Sequence, residues 1–175
     1  MKAFAAFVLG ACLVGPLAAQ ERFEAGGLLG RGGFLEDDNS GARALAGGHI
    51  GVRLTDSRSL LLEYTQFRRS SDFGFRQRHH LFGLTLHTEP RPWNRVRFFS
   101  DIGAGGGVRT QRYEARPGVP EVSLPSKGFI GVYAGAGVAI DIGERVFIRP
   151  GVRAYLWAPT VALGLAPLIT AGFRF

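Results

Sequence analysis

Three groups of side chains in this 175-residue chain have types and spacings that could do chemistry. Ser70, Ser71 and Asp72 lie across one hairpin from His79 and His80, so a hydroxyl nucleophile, an imidazole base and a carboxylate could meet there. Glu36-Asp37-Asp38-Asn39-Ser40-Gly41 offers hard oxygen ligands in a glycine-terminated loop, the chemistry of a calcium site, but lacks the downstream bidentate glutamate. Arg68, Arg69, Arg76 and Arg78 flank one predicted loop, and Arg109, Arg112, Arg116 and Lys127 flank another. Guanidinium groups pair bidentately with phosphate oxygens, which makes these arginines candidate contacts for lipopolysaccharide. The first two groups have plainer readings as ordinary loop composition and a solvated acidic loop, so no catalytic residue, metal ligand or cofactor is assigned.

The rest of the sequence must supply the elements that place these groups. Met1 and Lys2 precede an apolar run from Ala3 to Val14, Gly15-Pro16 breaks it, and Leu17-Ala18-Ala19 closes it. That order predicts a secretory signal peptide over residues 1–19, cleaved after Ala19, and a domain over 20–175. Leu9-Gly10-Ala11-Cys12 loosely resembles a lipobox, but the apolar run continues past Cys12 to Ala19. Cys12 is the one cysteine, so the domain contains no disulfide. A net charge of +7 could suggest nucleic acid, but an exported chain makes that a poor explanation. The 26 glycines, about twice the usual share, exclude an ordinary composition and follow no collagen period.

Period-2 alternation dominates the domain and predicts eight strands. On one strand Ile130, Val132, Ala134, Ala136, Val138 and Ile140 share a face, against Phe129, Gly131, Tyr133, Gly135 and Gly137. The last strand sets Val161, Leu163, Leu165, Pro167 and Ile169 against Thr170, Gly172 and Arg174. Short turns are predicted at Thr55–Arg58, Glu89–Asn94 and Asp141–Glu144, with longer, charged connections at Glu36–Arg43, Ser70–Gln77 and Thr110–Ser126. The first strand, about Arg22 to Leu35, is so rich in glycine that its facing stays open.

Arg53, Glu63, Arg97, Asp101, Arg149, Arg153 and Arg174 share their face with most strand glycines, and the opposite face is an almost uncharged belt. A soluble barrel would then pack bulky aliphatics inside and show glycine and arginine to water. A barrel in lipid explains both faces: the belt meets hydrocarbon, closure satisfies the backbone, and small and charged residues fill a narrow lumen. The fold is therefore read as all-β, an eight-stranded antiparallel up-and-down transmembrane β-barrel. Lone charges in such a lumen would be costly, so Glu63 and Asp101 are each expected to accept from Arg53, Arg97, Arg149 or Arg153. Trp93, Trp157, Phe98, Tyr64, Phe173 and Phe175 are assigned to interfacial aromatic girdles.

The signal, the eight alternating strands and the stretches "RFFSDIGAGGGV" (97–108) and "GVYAGAGVAIDIGERVFIRPGVR" (131–153) resemble the small bacterial outer-membrane barrels of the OmpA/OmpX/OmpW-like porin-family group. The closing alternation of Ile169, Ala171, Phe173 and Phe175 is similar to the signal that the barrel-insertion machinery reads in its clients. The resemblance implies a monomer in the bacterial outer membrane, bounded by lipid and lipopolysaccharide, with a structural or surface-interaction role through its extracellular loops. Two alternatives stand beside that role. One is a narrow channel or conduit for small solutes or hydrophobic molecules; the other is a lipid-modifying enzyme. Small barrels similar to the lipid A deacylases place a serine two residues from a histidine, whereas His49, His79, His80 and His87 are followed at that spacing by Gly51, Leu81, Phe82 and Glu89. A soluble periplasmic barrel holding a lipid inside is a further rival.

Overall fold

The computed structural model describes residues 22–36, 41–70, 75–90, 96–115, 120–159 and 161–175. The expected signal peptide, Cys12 and the acidic loop from Asp37 to Ser40 lie outside them. Among the described residues every regular element is a strand: β1 (Phe23–Glu36), β2 (Gly41–Thr55), β3 (Arg58–Ser70), β4 (Phe75–Thr88), β5 (Val96–Tyr113), β6 (Val122–Ile142), β7 (Val146–Ala158) and β8 (Ala162–Arg174). Each pairs antiparallel with the next, and β1 closes on β8 from Glu24↔Arg174 to Glu36↔Ala162. Closure leaves no edge strand, so backbone donors and acceptors are paired around the whole ring.

The alternation sets the two surfaces. On β6 Ile130 and Val132 are 68% and 52% exposed while Tyr133 between Val132 and Ala134 is 4% exposed. Leu29, Ile50, Leu62, Phe82, Ile102, Leu156, Leu165 and Ile169 extend this apolar outer wall around the barrel. The facing of β1 is now defined: Glu24, Leu28 and Phe34 point in, Leu29, Arg31 and Leu35 point out.

The lumen divides along its length. From the end where β1 starts and β8 finishes, here the terminal end, charged side chains reach to mid-barrel. The far half holds rings: Phe34 stacks on Trp157 at 5.0 Å between centroids, and Phe67 meets Phe34, Tyr155 and Trp157 edge-on at 5.0 to 5.5 Å. Glycines on neighbouring strands make room for these rings. A Cβ at Gly164 would run into the Phe34 ring, one at Gly103 into Tyr133, and one at Gly131 into Trp157. Part of the glycine excess thus forms the wall against which lumenal rings lie.

Two expectations are corrected. Most of Thr110–Ser126, read as a long loop, is strand: β5 and β6 run 18 and 21 residues and pair out to Tyr113↔Val122 past a register shift at Arg109/Gln111. Connection lengths also fail to separate the two ends, since residues 89–95 at the terminal end outnumber residues 37–40 or 71–74 at the far end. Sequence polarity marked these segments as loops, but a ribbon that stands beyond the belt can be both polar and hydrogen-bonded. At the β6–β7 turn Gly143 adopts φ +73°, where any side chain would be strained. Gly164→Val should destabilise the barrel by about 1–3 kcal/mol through overpacking against Phe34, read as a lower urea midpoint in detergent micelles. Gly33→Val, where a Cβ would meet open space, should leave the midpoint nearly unchanged.

Candidate functional site

The lumenal charges form one connected network that draws on all eight strands. Arg153 on β7 sits between Glu63 on β3, to which its Nη1 donates, and Asp101 on β5, whose Oδ2 accepts from Nη2 at 2.8 Å. Thr65 donates to the same Glu63 carboxylate at 3.0 Å. Asp101 then faces His87 Nδ1 at 2.7 Å, and His87 Nε2 faces Glu89 at 2.9 Å. Arg149 takes Glu89 on one side and chelates Glu24 on the other at 2.7 and 3.1 Å. Glu24 also lies 3.3 Å from His49 Nε2. Arg97 and Arg174 complete the terminal end by sharing Asp141, with Arg97 also 3.3 Å and Arg174 3.4 Å from Glu89.

Rings seal the network laterally. Arg149 lies 4.0 Å over Phe147, Arg174 lies 5.1 Å over the same ring, and Arg153 lies 4.9 Å over Tyr133. These contacts suit arginine, whose planar face tolerates poor hydration while its edge donates to carboxylates. Above them Arg43 is almost fully buried, 4.9 Å from Phe34 and 5.2 Å from Trp157. At the far mouth a cavity of about 40 Å³ is bounded by His79, Arg109, Lys127, Phe129 and Trp157. Chemically, the arrangement braces the barrel wall: each carboxylate is met by a cation.

Of the expected network, Glu63, Arg97, Asp101, Arg149, Arg153 and Arg174 are brought together. Glu63 and Asp101 meet Arg153; Arg97 and Arg149 serve other carboxylates. Arg53 does not join: it is half-exposed near the terminal rim, and no ion pair ties it to a described residue. Glu24, His49, His87, Glu89 and Asp141 were missed. Parity carried one step further would have found Glu89, two residues past His87, and Asp141, two past Ala139. Trp157 corrects the girdle assignment, because it is 3% exposed and stacked inside the lumen. Phe98, Phe173 and Phe175 do face outward, Tyr64 is half-buried on the outer face, and Trp93 lies outside the described residues.

The two histidines of the serine–histidine hairpin point to opposite faces of β4. His79 points into the lumen against Trp157 at 4.8 Å, whereas His80 points out and accepts from or donates to the Tyr64 hydroxyl at 2.8 Å. Ser71, Asp72 and the Ser70 side chain lie outside the described residues, as does Arg116. Among the other basic candidates Arg68, Arg76, Arg78 and Arg112 face outward, while Arg69 takes the lumenal parity of Phe67 and lies over Gly41. Ile169, Ala171, Phe173 and Phe175 line the outer face of β8.

Solved structures of small bacterial outer-membrane barrels share this architecture. Neisserial surface protein A superposes with a TM-score of 0.71 at 13% identity, covering 91% of this chain and 100% of that one. The N-terminal barrel domain of Pseudomonas aeruginosa OprF gives 0.60 at 18%, over 90% and 100%. The attachment invasion locus protein Ail of Yersinia pestis, in complex with the heparin analogue sucrose octasulfate, gives 0.55 at 15%, over 88% and 99%. At such identities the likeness shows the fold, a closed eight-stranded antiparallel barrel. No family model and no curated protein matches the sequence.

Arg153→Met should cost about 3–5 kcal/mol of unfolding free energy in micelles, because Glu63 and Asp101 would lose their shared cation in the lumen. Adding Glu63→Gln should recover part of that loss, whereas Arg53→Gln should stay within about 0.5 kcal/mol of the parent.

Proposed function

We propose that this protein is a monomeric bacterial outer-membrane barrel with a structural, surface-interaction role, reaching its membrane through a cleaved signal peptide and the barrel-insertion machinery. The observation that carries the reading is the inverted placement of side chains: aliphatics such as Ile102 and Ile130 are two-thirds exposed on the outer wall, while Glu63, Asp101 and Arg153 are buried. In water such a wall would be an aggregation surface; in hydrocarbon it is the favourable arrangement. The outward row Ile169, Ala171, Phe173 and Phe175 supports the insertion signal expected there.

A side-chain-filled lumen supports a plug rather than a conduit, since the rings of the far half and the ion pairs of the terminal half occupy the cross-section. The surface available to partners is then the outer wall and the far rim. That the neighbour Ail was crystallised with a polysulfate supports a rim that meets anions, and the outward arginines of this chain have the complementary charge. The opposed directions of His79 and His80 give the lipid-modifying reading no support.

Purified protein folded into lipid bilayers should migrate faster on gels before boiling than after. Ile102→Arg should destabilise it by about 2–4 kcal/mol there, where a soluble barrel would accept an outward arginine at little cost. Planar bilayers should show no single-channel steps; regular steps would replace the plug with a channel.

A further inference from the structure

Arginine is misplaced, by ordinary rules, at five positions on the outer wall. Arg68 on β3 is directly opposite Arg78 on β4, and two residues further out Arg76 on β4 is directly opposite Arg112 on β5. All four are exposed. Directly opposed residues have Cβ atoms about 5 Å apart, and like charges so placed are destabilising. Arg31 on β1 shares a hydrogen-bonded row with Arg68 through Ala44, which pairs with both; at about 4.8 Å per strand it stands roughly 10 Å from Arg68.

The surroundings are those of a boundary between hydrocarbon and headgroups. Below Arg68 and Arg78 come Gln66 and His80, then Tyr64 packed on Phe82 at 4.9 Å between ring centroids, then Leu62 and Leu84. Gln66 accepts from Arg68 Nε, and Tyr64 bonds His80, so this column is braced before it reaches the aliphatic wall. Above it, a cleft of about 380 Å³ lies at the far ends of β4, β5 and β6, lined by Arg76, Arg78, Arg112, Thr110, Glu114 and Glu121. Glu114 pairs with Arg76, and Glu121 accepts from Arg112 Nε at 3.1 Å. These two acids hold two of the guanidinium groups at the cleft wall but leave a surplus of positive charge. No described residue forms an ion pair with Arg78 or Arg31.

We propose that Arg31, Arg68, Arg76, Arg78 and Arg112 form a binding site for the phosphate groups of an anionic glycolipid in the surrounding leaflet, with the cleft beside the β5–β6 ribbon taking one phosphate. The proposal rests on the membrane reading above and names the partner of its outer wall. Chemistry selects the occupant. A wall-mounted row directly over an aromatic boundary is reached by anions fixed at the lipid surface, and a planar guanidinium can chelate phosphate oxygens while its stem lies along the apolar wall. A phosphate between two facing arginines turns their repulsion into a bridge. Arg69, one residue from Arg68, takes no part because its parity turns it to the lumenal side.

The test titrates protein folded in neutral detergent micelles with bisphosphorylated lipid A and with the same glycolipid stripped of phosphate, counting bound lipid by native mass spectrometry. The phosphorylated form should bind at least about tenfold more tightly, and the R68Q/R78Q double variant should lose most of that preference, as expected for lost hydrogen bonds between charged groups. Arg58→Gln, on β3 at the terminal end, should keep it. Without glycolipid the urea midpoint of R68Q/R78Q should equal or exceed that of the parent, and phosphorylated lipid A should raise the parent midpoint more than the variant's. Equal affinity for both glycolipids in a protein with heat-modifiable migration would overturn the site while leaving the membrane reading intact. Arginine-dependent binding of sucrose octasulfate without glycolipid binding would replace the lipid with a soluble polyanion. Protein that never shows heat-modifiable migration would overturn the membrane reading and the site with it.

Discussion

Eight strands closed on themselves enclose a lumen wide enough for side chains and little else, and the rest of the structure depends on that narrow cross-section. Large inward rings need small neighbours to lie against, and the carboxylates that point inward need cations within the same cross-section. Gly103 under Tyr133 and Gly164 under Phe34 answer the first requirement. Arg153 between Glu63 and Asp101 answers the second. The two devices divide the lumen, with ion pairs nearer the terminal end and rings in the far half. They meet where Arg153 lies over Tyr133, whose hydroxyl is 2.8 Å from Thr85 Oγ1.

The network is more than a set of pairs because its members are shared. Glu89 touches His87, Arg97, Arg149 and Arg174, and so ties β4 to β5, β7 and β8 from a position one residue beyond its own strand. Glu24 performs the same office for β1, β2 and β7 through His49 and Arg149. Ion pairs inside a low-dielectric lumen do not guarantee stability, since desolvation opposes attraction. They do specify register: a one-residue slip on any strand would turn its charge to the apolar outer wall and its aliphatics into the lumen. That penalty falls on each strand separately and discriminates against mispaired rings.

Much of this was legible in the sequence, because in a barrel wall parity is almost the whole code. Alternation gave eight strands, the direction of Ile130 against Tyr133, and the shared face of Glu63, Asp101, Arg149 and Arg153. It became unreadable where side chains stopped alternating in kind. On β1, Gly26-Gly27 and Gly32-Gly33 give both faces the same residue, so Glu24 could not be assigned a direction. At strand ends, Glu89 and Asp141 looked like turn chemistry although their parity pointed inward. Trp157 shows the opposite error: it continues Arg153 and Tyr155 by twos, but the expectation that tryptophan belongs in girdles displaced the periodicity. Arg53 had the right parity and the wrong depth, since alternation fixes a face and not a distance along the barrel axis.

The same rule explains why chemistry moves to the outside of such a molecule. Inside, the carboxylates of the network are each met by an arginine; on β3 the inward Glu63 is held by Arg153 and Thr65. The outward sequence Leu62, Tyr64, Gln66, Arg68 instead grades from aliphatic to aromatic to cationic along one strand, and β4 repeats the grade with Leu84, Phe82, His80 and Arg78. Interior packing could not have required that gradient, because these side chains do not enter the lumen. Nor does the wall require two arginines face to face, which weakens the sheet that carries them. Their position follows if the medium outside the barrel changes from hydrocarbon to anionic headgroup at the level where Arg68 and Arg78 emerge.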